Sequence, residues 1–387
     1  MESTMRTSYA KEDVCFLLKD ITGLVEPLPS KEREKLIQKG MHYCEMLPIE
    51  YEPGKAYMEA YDKALESYAG AVARAVGALA DKIIDRKGRD VVLVSLARAG
   101  TPIGILLKRC LQKKYGYSVR HYSISIIRGR GIDQNAMAYL LARYEPRQLQ
   151  FVDGWIGKGA ILEELSLALR PYSGVSQELG VVADPAHATG LCGTHEDLLI
   201  PSSCLNCTVS GLISRTFLRE DIIGEHDFHG AVYYENLKDK DLSYDFIDAI
   251  EKEFRFVREE DFAQEKCFVS EEDFVRDGEE QYGSGENPGM CEVKALAEKF
   301  GVENIYLIKP GIGETTRVLL RRVPWKVFID PRYLHDPAVA HIIRLARDKN
   351  VPVEEYPLLH YKTCGIIETM ADTYTSVNEC RPQRYRR

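Results

Sequence analysis

The sequence lacks any long hydrophobic run. No apolar stretch approaches the roughly 20 residues that a membrane-spanning helix needs. The N-terminal segment MESTMRTSYAKEDVCF also lacks the apolar core of about 7–15 residues that is typical of a secretory signal. We therefore expect a cytoplasmic protein without a membrane partner, whose ten cysteines are reduced thiols. Internal repeats are absent as well.

The composition is that of a globular protein. Hydrophobic residues make up 45% and charged residues 28% of the 387 residues, which excludes a largely disordered chain, a collagen-like repeat and a coiled coil. At about 150 residues per domain, this length predicts two or three domains.

The charge is unevenly distributed along the chain. Residues 257–290 hold eleven acidic and three basic residues, whereas residues 291–387 hold sixteen basic and twelve acidic residues. We therefore predict a first domain over 1–256, an acidic linker over 257–290, a second domain over 291–372 and a basic tail over 373–387.

Strand and helix patterns alternate through both predicted domains. In the first domain the predicted strands are 90–97, 119–127, 149–154 and 179–185, and the predicted helices are 55–86, 101–116, 135–144 and 161–172. In the second, the helices are 291–300, 314–322 and 338–348, and the strands are 305–309, 326–330 and 351–356. Such alternation predicts an α/β protein with a parallel sheet covered by helices on both faces.

Two strand-to-helix loops have the features of an anion-binding site. In LVSLARAGTPIG (93–104), small residues let a ligand approach the main chain, and Arg98 offers a guanidinium suited to phosphate oxygens. In FVDGWIGKGAI (151–161), three glycines surround Lys158, and Asp153 ends the strand, where open α/β sheets bind ligands. The GxxxxGK[ST] spacing of a nucleoside-triphosphate loop is absent.

These loops resemble those of the type I phosphoribosyltransferases. RAG at 98–100, DGWIGKGA at 153–160 and the Gly-rich residues 128–134 are similar to the pyrophosphate loop, the phosphoribosyl pyrophosphate loop and the mobile catalytic loop. The resemblance implies phosphoribosyl transfer that uses Mg²⁺ held by Asp153, with catalysis by Asp153, Arg128 and Arg130 and with the loop closing as a lid. The ligand contacts it implies are Arg98, Ala99, Gly100, Asp153, Gly154, Gly157, Lys158, Gly159 and Ala160.

Residues 184–230 are rich in reactive side chains, namely Asp184, His187, Cys192, His195, Glu196, Cys204, Cys207, His226 and His229. Three interpretations stay open: an ordinary cap over the acceptor pocket, a zinc site, or a thiol protease with Cys204 as nucleophile and His187, His195 or His229 as base. The zinc site would use Cys204 and Cys207 with Cys192 or a histidine. The residues of SGLISRT predicted to contact an acceptor are Ser210, Arg215 and Thr216.

Longer blocks resemble the bacterial StiP family, which is found with tellurium-resistance and stress gene clusters. The blocks are SLARAGTPIG, HYSISIIRGRGID, FVDGWIGKG and LNCTVSGLISRT, and the resemblance spans about residues 8–250. Members of this family are described either as phosphoribosyltransferases or as cysteine proteases, so the family resemblance leaves both activities open.

The second predicted domain contains a strand, a glycine turn and a basic helix. Arg317 and Arg321 are four residues apart and share a helix face, and Glu314 lies where the helix dipole favours a carboxylate. GIGETTR (311–317) resembles the GxNExTK signature of the Pelota and kink-turn-binding ribosomal protein family, a small α/β/α fold. This resemblance implies binding of structured RNA through Gly311, Gly313, Glu314, Arg317 and Arg321.

The main prediction is a phosphoribosyltransferase that acts on a base or nucleoside-like metabolite and also binds RNA. The alternatives are a StiP-type cysteine protease with Cys204 as nucleophile, and a non-catalytic sensor of phosphoribosyl pyrophosphate that acts through RNA.

Overall fold

The computed structural model describes residues 5–255 and 287–368, and the structural statements below concern those residues. Most of the predicted linker, 257–290, and all of the predicted tail, 373–387, lie outside the described residues. No described helix is long and apolar enough to cross a membrane.

The alternating pattern of the first part is confirmed. Its helices are α1 (Ser30–Gln38), α2 (Lys55–Lys87), α3 (Gly100–Tyr115), α4 (Gln134–Leu141), α5 (Ala160–Leu169) and α6 (Ser243–Lys252). Its strands are β1 (Cys15–Phe16), β2 (Lys19–Asp20), β3 (Val92–Ala97), β4 (Arg120–Ile127), β5 (Gly131–Ile132), β6 (Leu149–Trp155), β7 (Leu179–Ala183), β8 (Cys192–Thr194) and β9 (Gly230–Ala231).

The central sheet is parallel, as predicted. Its strand order is β1-β4-β3-β6-β7-β8, and β5 pairs antiparallel with β4 at the sheet edge. Side chains of β3 alternate between the two faces: Leu93 packs in the cluster formed with α2 and α3, and Val92 and Val94 pack in the cluster formed with α4 and α5. Helices therefore cover both faces of the sheet, which explains why its strands are buried almost throughout, including polar residues such as Ser123, Ser125 and Gln150.

The second part is a smaller α/β unit. Its elements are α7 (Pro288–Phe300), β10 (Ile308–Pro310), α8 (Ile312–Arg321), β11 (Pro324–Ile329), α9 (Pro337–Asp348), β12 (Val353–Glu355) and β13 (Thr363–Ile367). The sheet order is β10-β13-β11-β12, with β13 antiparallel to both of its neighbours. The sequence analysis did not predict β13.

Two predicted boundaries need correction. Helix α7 begins at Pro288, because the side chain of Asn287 accepts a hydrogen bond from the N–H of Met290 at 2.8 Å and caps the helix. The predicted linker therefore extends too far at its C-terminal end. The predicted strand 305–309 begins only at Ile308, because residues 305–307 form a 3₁₀ turn.

The two parts share one hydrophobic core. Leu319 of α8 and Ile342 of α9 belong to the same buried cluster as Ile200, Leu205 and residues of α2. The C-terminal unit is therefore docked on the first part, and the docking surface includes apolar side chains as well as polar contacts.

Gly193 fixes the position of β8 against α2. A Cβ atom at this position would overlap the main-chain carbonyl oxygen of Ala75, which cannot move aside as a side chain can. We expect Gly193→Ala to lower the free energy of unfolding by about 1–3 kcal/mol, measured by urea denaturation. Gly77→Ala is the matched control within α2, because a Cβ there meets no atom within 4 Å. An unchanged stability of Gly193→Ala would contradict this tight packing.

Candidate functional site: a cysteine–histidine–aspartate cluster beside a basic cleft

The carboxyl ends of β3, β4 and β6 converge on one edge of the parallel sheet, next to the C-terminal unit. A cleft of about 230 Å³ lies there. The predicted ligand-binding residues that line it are Ala99, Arg128, Asp153, Gly157, Lys158, Gly159 and Ala160. Burial raises the pKa of Asp153 to about 6, and its carboxylate accepts a hydrogen bond from the N–H of Gly154 at 2.8 Å. Magnesium binding by Asp153 stays a prediction.

The cations predicted to hold phosphate have protein partners. The ammonium of Lys158 donates to the carbonyl oxygens of Ile305 and Ile308 at 2.7 and 3.1 Å, and burial lowers its pKa to about 7. Arg98, predicted to bind pyrophosphate, pairs with Glu50 at 2.9 Å. The sequence could not show the partners of Lys158, because Ile305 and Ile308 belong to the docked C-terminal unit.

The predicted lid is held in place in the described conformation. The N–H groups of Gly129 and Gly131 donate to the carboxylate of Glu164 at 2.7 and 2.9 Å, and Arg130 pairs with Glu45 at 2.8 Å. Arg128 lies over the ring of Tyr306, 4.4 Å from its centroid. In this conformation the segment is held against the cleft, and its movement as a lid stays a prediction.

The predicted acceptor residues do not form an open pocket. Ser210 and Thr216 are buried, and the hydroxyl of Ser210 donates to the carbonyl oxygen of Asn206 at 3.0 Å. The side chain of Arg215 is exposed. The segment is therefore a folded part of the first domain, in which the short polar side chains satisfy the main chain.

The face predicted to bind RNA is covered by the first part of the chain. The N–H of Ile312, directly after Gly311, donates to both carboxylate oxygens of Asp197 at 2.9 and 3.1 Å. A Cβ on Gly313 would meet the side chain of Ser203 at 3.5 Å, so this glycine also faces the first part.

The cationic residues of the same face are engaged in the docking. Arg321 donates to the carbonyl oxygen of Leu205 at 2.6 Å. Arg317 pairs with Glu314 at 3.1 Å and lies 4.6 Å from the ring centroid of Trp155. Docking therefore covers most of this face, although Arg317 and Glu314 stay partly exposed on the wall of the cleft.

Cys204, the nucleophile predicted from the sequence, has no partner base. Its side chain is completely buried, and burial raises the pKa of its thiol to about 11. Among the described residues, no histidine forms a hydrogen bond with it. The predicted zinc site is also not formed, because the one described cluster of three potential metal ligands excludes both Cys204 and Cys207.

The structure instead brings Cys192 together with His195 and Asp184. Strand β8 pairs in parallel with β7, matching Val181 with Cys192 and Ala183 with Thr194. This register places Asp184, which follows β7, next to His195, which follows β8. The sulfur of Cys192 lies 3.4 Å from Nε2 of His195.

The imidazole of His195 is oriented by Asp184. Its Nδ1 lies 2.9 Å from the main-chain oxygen of Asp184 and 3.7 Å from the carboxylate oxygen Oδ2. Because a carbonyl oxygen can only accept, Nδ1 carries the proton and Nε2 has the lone pair. The sulfur also lies 3.8 Å from Nδ1, so it is beside the ring and not on the axis of the Nε2 lone pair. The ring of His187 stacks on that of His195, with centroids 4.3 Å apart.

Asp184 is held rigidly. Its side chain is fully buried, and its Oδ2 accepts hydrogen bonds from the N–H groups of Ala188 and Thr189 at 2.7 and 2.8 Å. Its other oxygen, Oδ1, is buried without a hydrogen-bond partner. Burial raises the pKa of this carboxyl group. The loop between β7 and β8 is thus organised around a single carboxylate.

A second cysteine–histidine pair lies near the cleft. Nδ1 of His42 is 2.9 Å from the sulfur of Cys44, and its Nε2 is 3.2 Å from the carbonyl oxygen of Arg128. The same Nδ1 accepts a hydrogen bond from the N–H of Cys44 and caps a 3₁₀ turn. The local turn therefore explains why His42 and Cys44 are close together. Among the described residues, no carboxylate orients the His42 ring as Asp184 orients that of His195.

The fold and the cluster define a two-part α/β protein with a thiol–imidazole–carboxylate site on one part. A family model described as "Tellurite-like stress resistance cysteine protease StiP" matches residues 7–251, and the model "PELOTA RNA binding domain" matches residues 287–369. The "Cysteine protease StiP" of Acinetobacter baylyi is 36% identical over 329 residues, which cover 82% of each chain. The chain therefore belongs to the StiP family, and its C-terminal unit is a Pelota-like domain.

This result overturns the main prediction of activity. The relative and the family model are both described as a cysteine protease, a hydrolase, and neither supports a phosphoribosyltransferase that uses phosphoribosyl pyrophosphate. The prediction was wrong because glycine-rich loops and cations at the end of a parallel sheet are features of the fold, whereas an activity depends on the individual site. The Pelota match supports RNA binding as the general role of the C-terminal unit.

Proposed function

We propose that this protein is a cysteine peptidase in which Cys192 is the nucleophile, His195 the base and Asp184 the residue that orients the base. The single observation that carries the assignment is the contact between the sulfur of Cys192 and the ring of His195, 3.4 Å to Nε2 and 3.8 Å to Nδ1. A turn of the ring is needed to aim Nε2 at the thiol. A nucleophile in hydrogen-bond reach of a base that is itself oriented by a third group is the arrangement that thiol catalysis requires.

The chemistry follows from the hydrogen-bond directions. Nε2 of His195 takes the proton of the thiol, and the sulfur of Cys192 attacks the peptide carbonyl carbon to form a C–S bond. The C–N bond then breaks as Nε2 returns the proton to the leaving amine, which leaves a thioester. A water molecule, deprotonated by Nε2, hydrolyses the thioester and releases the carboxylic acid and the free thiol.

The described conformation is a resting state of this site. The sulfur of Cys192 is fully buried, and burial raises its pKa to about 11, so the resting thiol is neutral. The side chain of His195 is 42% exposed, which identifies the side from which a substrate approaches. Binding of a peptide must therefore move the loop that joins β7 and β8 away from the sulfur.

Substitution of the base tests the assignment. We expect His195→Gln to lower kcat/KM for hydrolysis of fluorescein-labelled casein by at least about a hundredfold, because general-base catalysis is lost. His187→Gln is the matched control, since it changes the stacked neighbour but keeps the ring of His195 and its contact with Cys192. Activity of His195→Gln within a fewfold of the wild type, in a protein folded by circular dichroism, would exclude His195 as the base.

We further propose that the Pelota-like domain binds structured RNA through the face that includes Gly311, Gly313, Glu314, Arg317 and Arg321, after separating from the first part. The carboxylate of Asp197 accepts the hydrogen bond that the N–H of Ile312 donates at the start of α8. Phosphate groups bind to the same kind of N–H donors at helix N-termini. Docking on the first part and binding of RNA therefore compete for one face.

A further inference from the structure

Sulfur, nitrogen and oxygen donors converge at the cluster of Asp184, Cys192 and His195. One donor atom of each residue lies within 4.8 Å of the others. This mixed set of a thiolate, an imidazole and a carboxylate is suited to a cation of intermediate softness, above all Zn²⁺. Hard cations such as Mg²⁺ prefer oxygen donors alone.

A second, independent observation points to a ligand here. Oδ1 of Asp184 has no hydrogen-bond partner, although its side chain is completely buried. A buried carboxylate oxygen without a partner is costly, and native structures rarely leave one unexplained. A cation bound by this carboxylate would give that oxygen a partner.

The geometry points to a zinc site formed by Asp184, Cys192 and His195, and we propose that this protein binds one Zn²⁺ there. The sulfur and Nε2 are 3.4 Å apart, close to the roughly 3.5 Å expected between two ligand atoms of a tetrahedral zinc ion with bonds of about 2.3 and 2.1 Å. Because Nδ1 is only 3.8 Å from the sulfur, the ring must turn to aim the Nε2 lone pair at the ion. Nδ1 of His195 donates to the carbonyl oxygen of Asp184, as ring nitrogens opposite a metal usually do. A solvent molecule would complete a four-coordinate site, as it does at zinc ions with three protein ligands.

Binding of the metal changes the protonation of the site. The thiol of Cys192 loses its proton to solvent when the Zn–S bond forms, and His195 uses the lone pair of Nε2 for the Zn–N bond. Neither group can then attack or deprotonate a substrate, so Zn²⁺ inhibits hydrolysis. This inhibition rests on the proposed function, whereas binding of the metal does not.

Cobalt provides a direct probe of the proposed site. We would titrate the full-length chain, reduced and stripped with a chelator, with Co²⁺ alone and record the sulfur-to-cobalt charge-transfer band in the near ultraviolet. Competition with a chromophoric chelator would then give the affinity for Zn²⁺. We expect one equivalent of metal per chain, with about one proton released for each ion bound at neutral pH.

Variants assign the ligands. Cys192→Ser is expected to lose the cobalt–sulfur band, and His195→Gln to lower the affinity for Zn²⁺ by at least about tenfold. Cys204→Ser is the matched control, because it alters an equally buried cysteine outside the cluster. A band that persists in Cys192→Ser, or wild-type protein that binds no stoichiometric metal, would overturn the proposal.

The outcomes also separate the metal site from the peptidase assignment. Metal binding that requires Cys192, together with hydrolysis that survives in Cys192→Ala, supports the zinc site and removes Cys192 as the nucleophile. Hydrolysis that requires Cys192, in a protein that binds no stoichiometric Co²⁺ or Zn²⁺, overturns the zinc site and supports the nucleophile. If both assignments hold, one equivalent of Zn²⁺ suppresses hydrolysis and a chelator restores it.

Discussion

Replacement of Cys192 by alanine is expected to reduce hydrolysis of a labelled protein substrate by at least about a thousandfold, because loss of the nucleophile removes the covalent pathway entirely. The side chain lies in the core, so a cavity of one sulfur atom will form, but serine at this position preserves the volume. Both Cys192→Ala and Cys192→Ser should be inactive while the serine variant unfolds near the wild-type temperature. The measurement is kcat/KM with casein, together with thermal unfolding followed by circular dichroism.

Two other buried cysteines serve as controls for this prediction. Cys204→Ala tests the nucleophile that the sequence suggested, and Cys44→Ala tests the second cysteine–histidine pair. Both variants should keep activity within about a fewfold of the wild type, since neither sulfur faces a base oriented by a carboxylate. Inactivity of Cys44→Ala in a folded protein, with activity preserved in Cys192→Ala, would transfer the nucleophile to the other pair.

The sheet of the first part could be predicted because burial on both faces leaves a clear sequence signal. Strands β3, β4, β6 and β7 are five to eight residues long and rich in apolar residues, which distinguishes them from loops. Strands β1 and β8 have two and three residues, too few for any periodicity. Their positions depend on pairing with β4 and β7, which local sequence does not specify.

The candidate site was predicted only as a region. The segment 184–230 stood out for its cysteines and histidines, but composition alone does not indicate which of them meet. The register of β8 against β7 selects Cys192 and His195, and brings Asp184 beside them. A usable signal was present: Asp184 directly follows a buried strand, and Cys192 and His195 lie three residues apart soon after it.

The docking of the C-terminal unit on the first part could not be predicted from the sequence. Contacts such as those from Lys158 to Ile308 and from Tyr361 to Gly157 join residues 150 and 204 positions apart. A glycine-rich loop with a lysine has the same sequence whether it binds a phosphate or the carbonyl groups of a neighbouring domain. The correct chemistry of the loop therefore depends on the docked partner.

Asp197 is the residue whose removal should affect the docking most directly. We expect Asp197→Ala to increase the affinity of the full-length chain for a structured RNA by about tenfold or more. The substitution leaves the buried N–H of Ile312 and the partly buried N–H of Lys362, which donate to this carboxylate, without an acceptor in the docked state. Each such group costs about 1–3 kcal/mol, whereas water satisfies both after separation.

The size of the effect follows from the fraction of molecules in which the RNA face is free. The apparent affinity for RNA equals the affinity of the separated form multiplied by the fraction of molecules in that form. A larger separated fraction therefore raises the apparent affinity in proportion, until all molecules are separated. Fluorescence anisotropy with a labelled RNA hairpin containing an asymmetric internal loop measures this change. Asp221→Ala is the matched control, because it removes a carboxylate that pairs with Arg219 on the surface of the first part.

Two arginines then identify the face that binds. In the Asp197→Ala background, replacing Arg317 and Arg321 by glutamine should weaken binding and reduce the dependence of log affinity on log salt by up to about two units, one for each lost phosphate contact. In the docked wild type the same replacement also removes the bonds from Arg321 to the first part, so its effect there is smaller. If Asp197→Ala does not change RNA affinity, while charge removal at the exposed Arg322 and half-buried Lys326 abolishes it, RNA binds the outer surface of the domain and does not compete with docking.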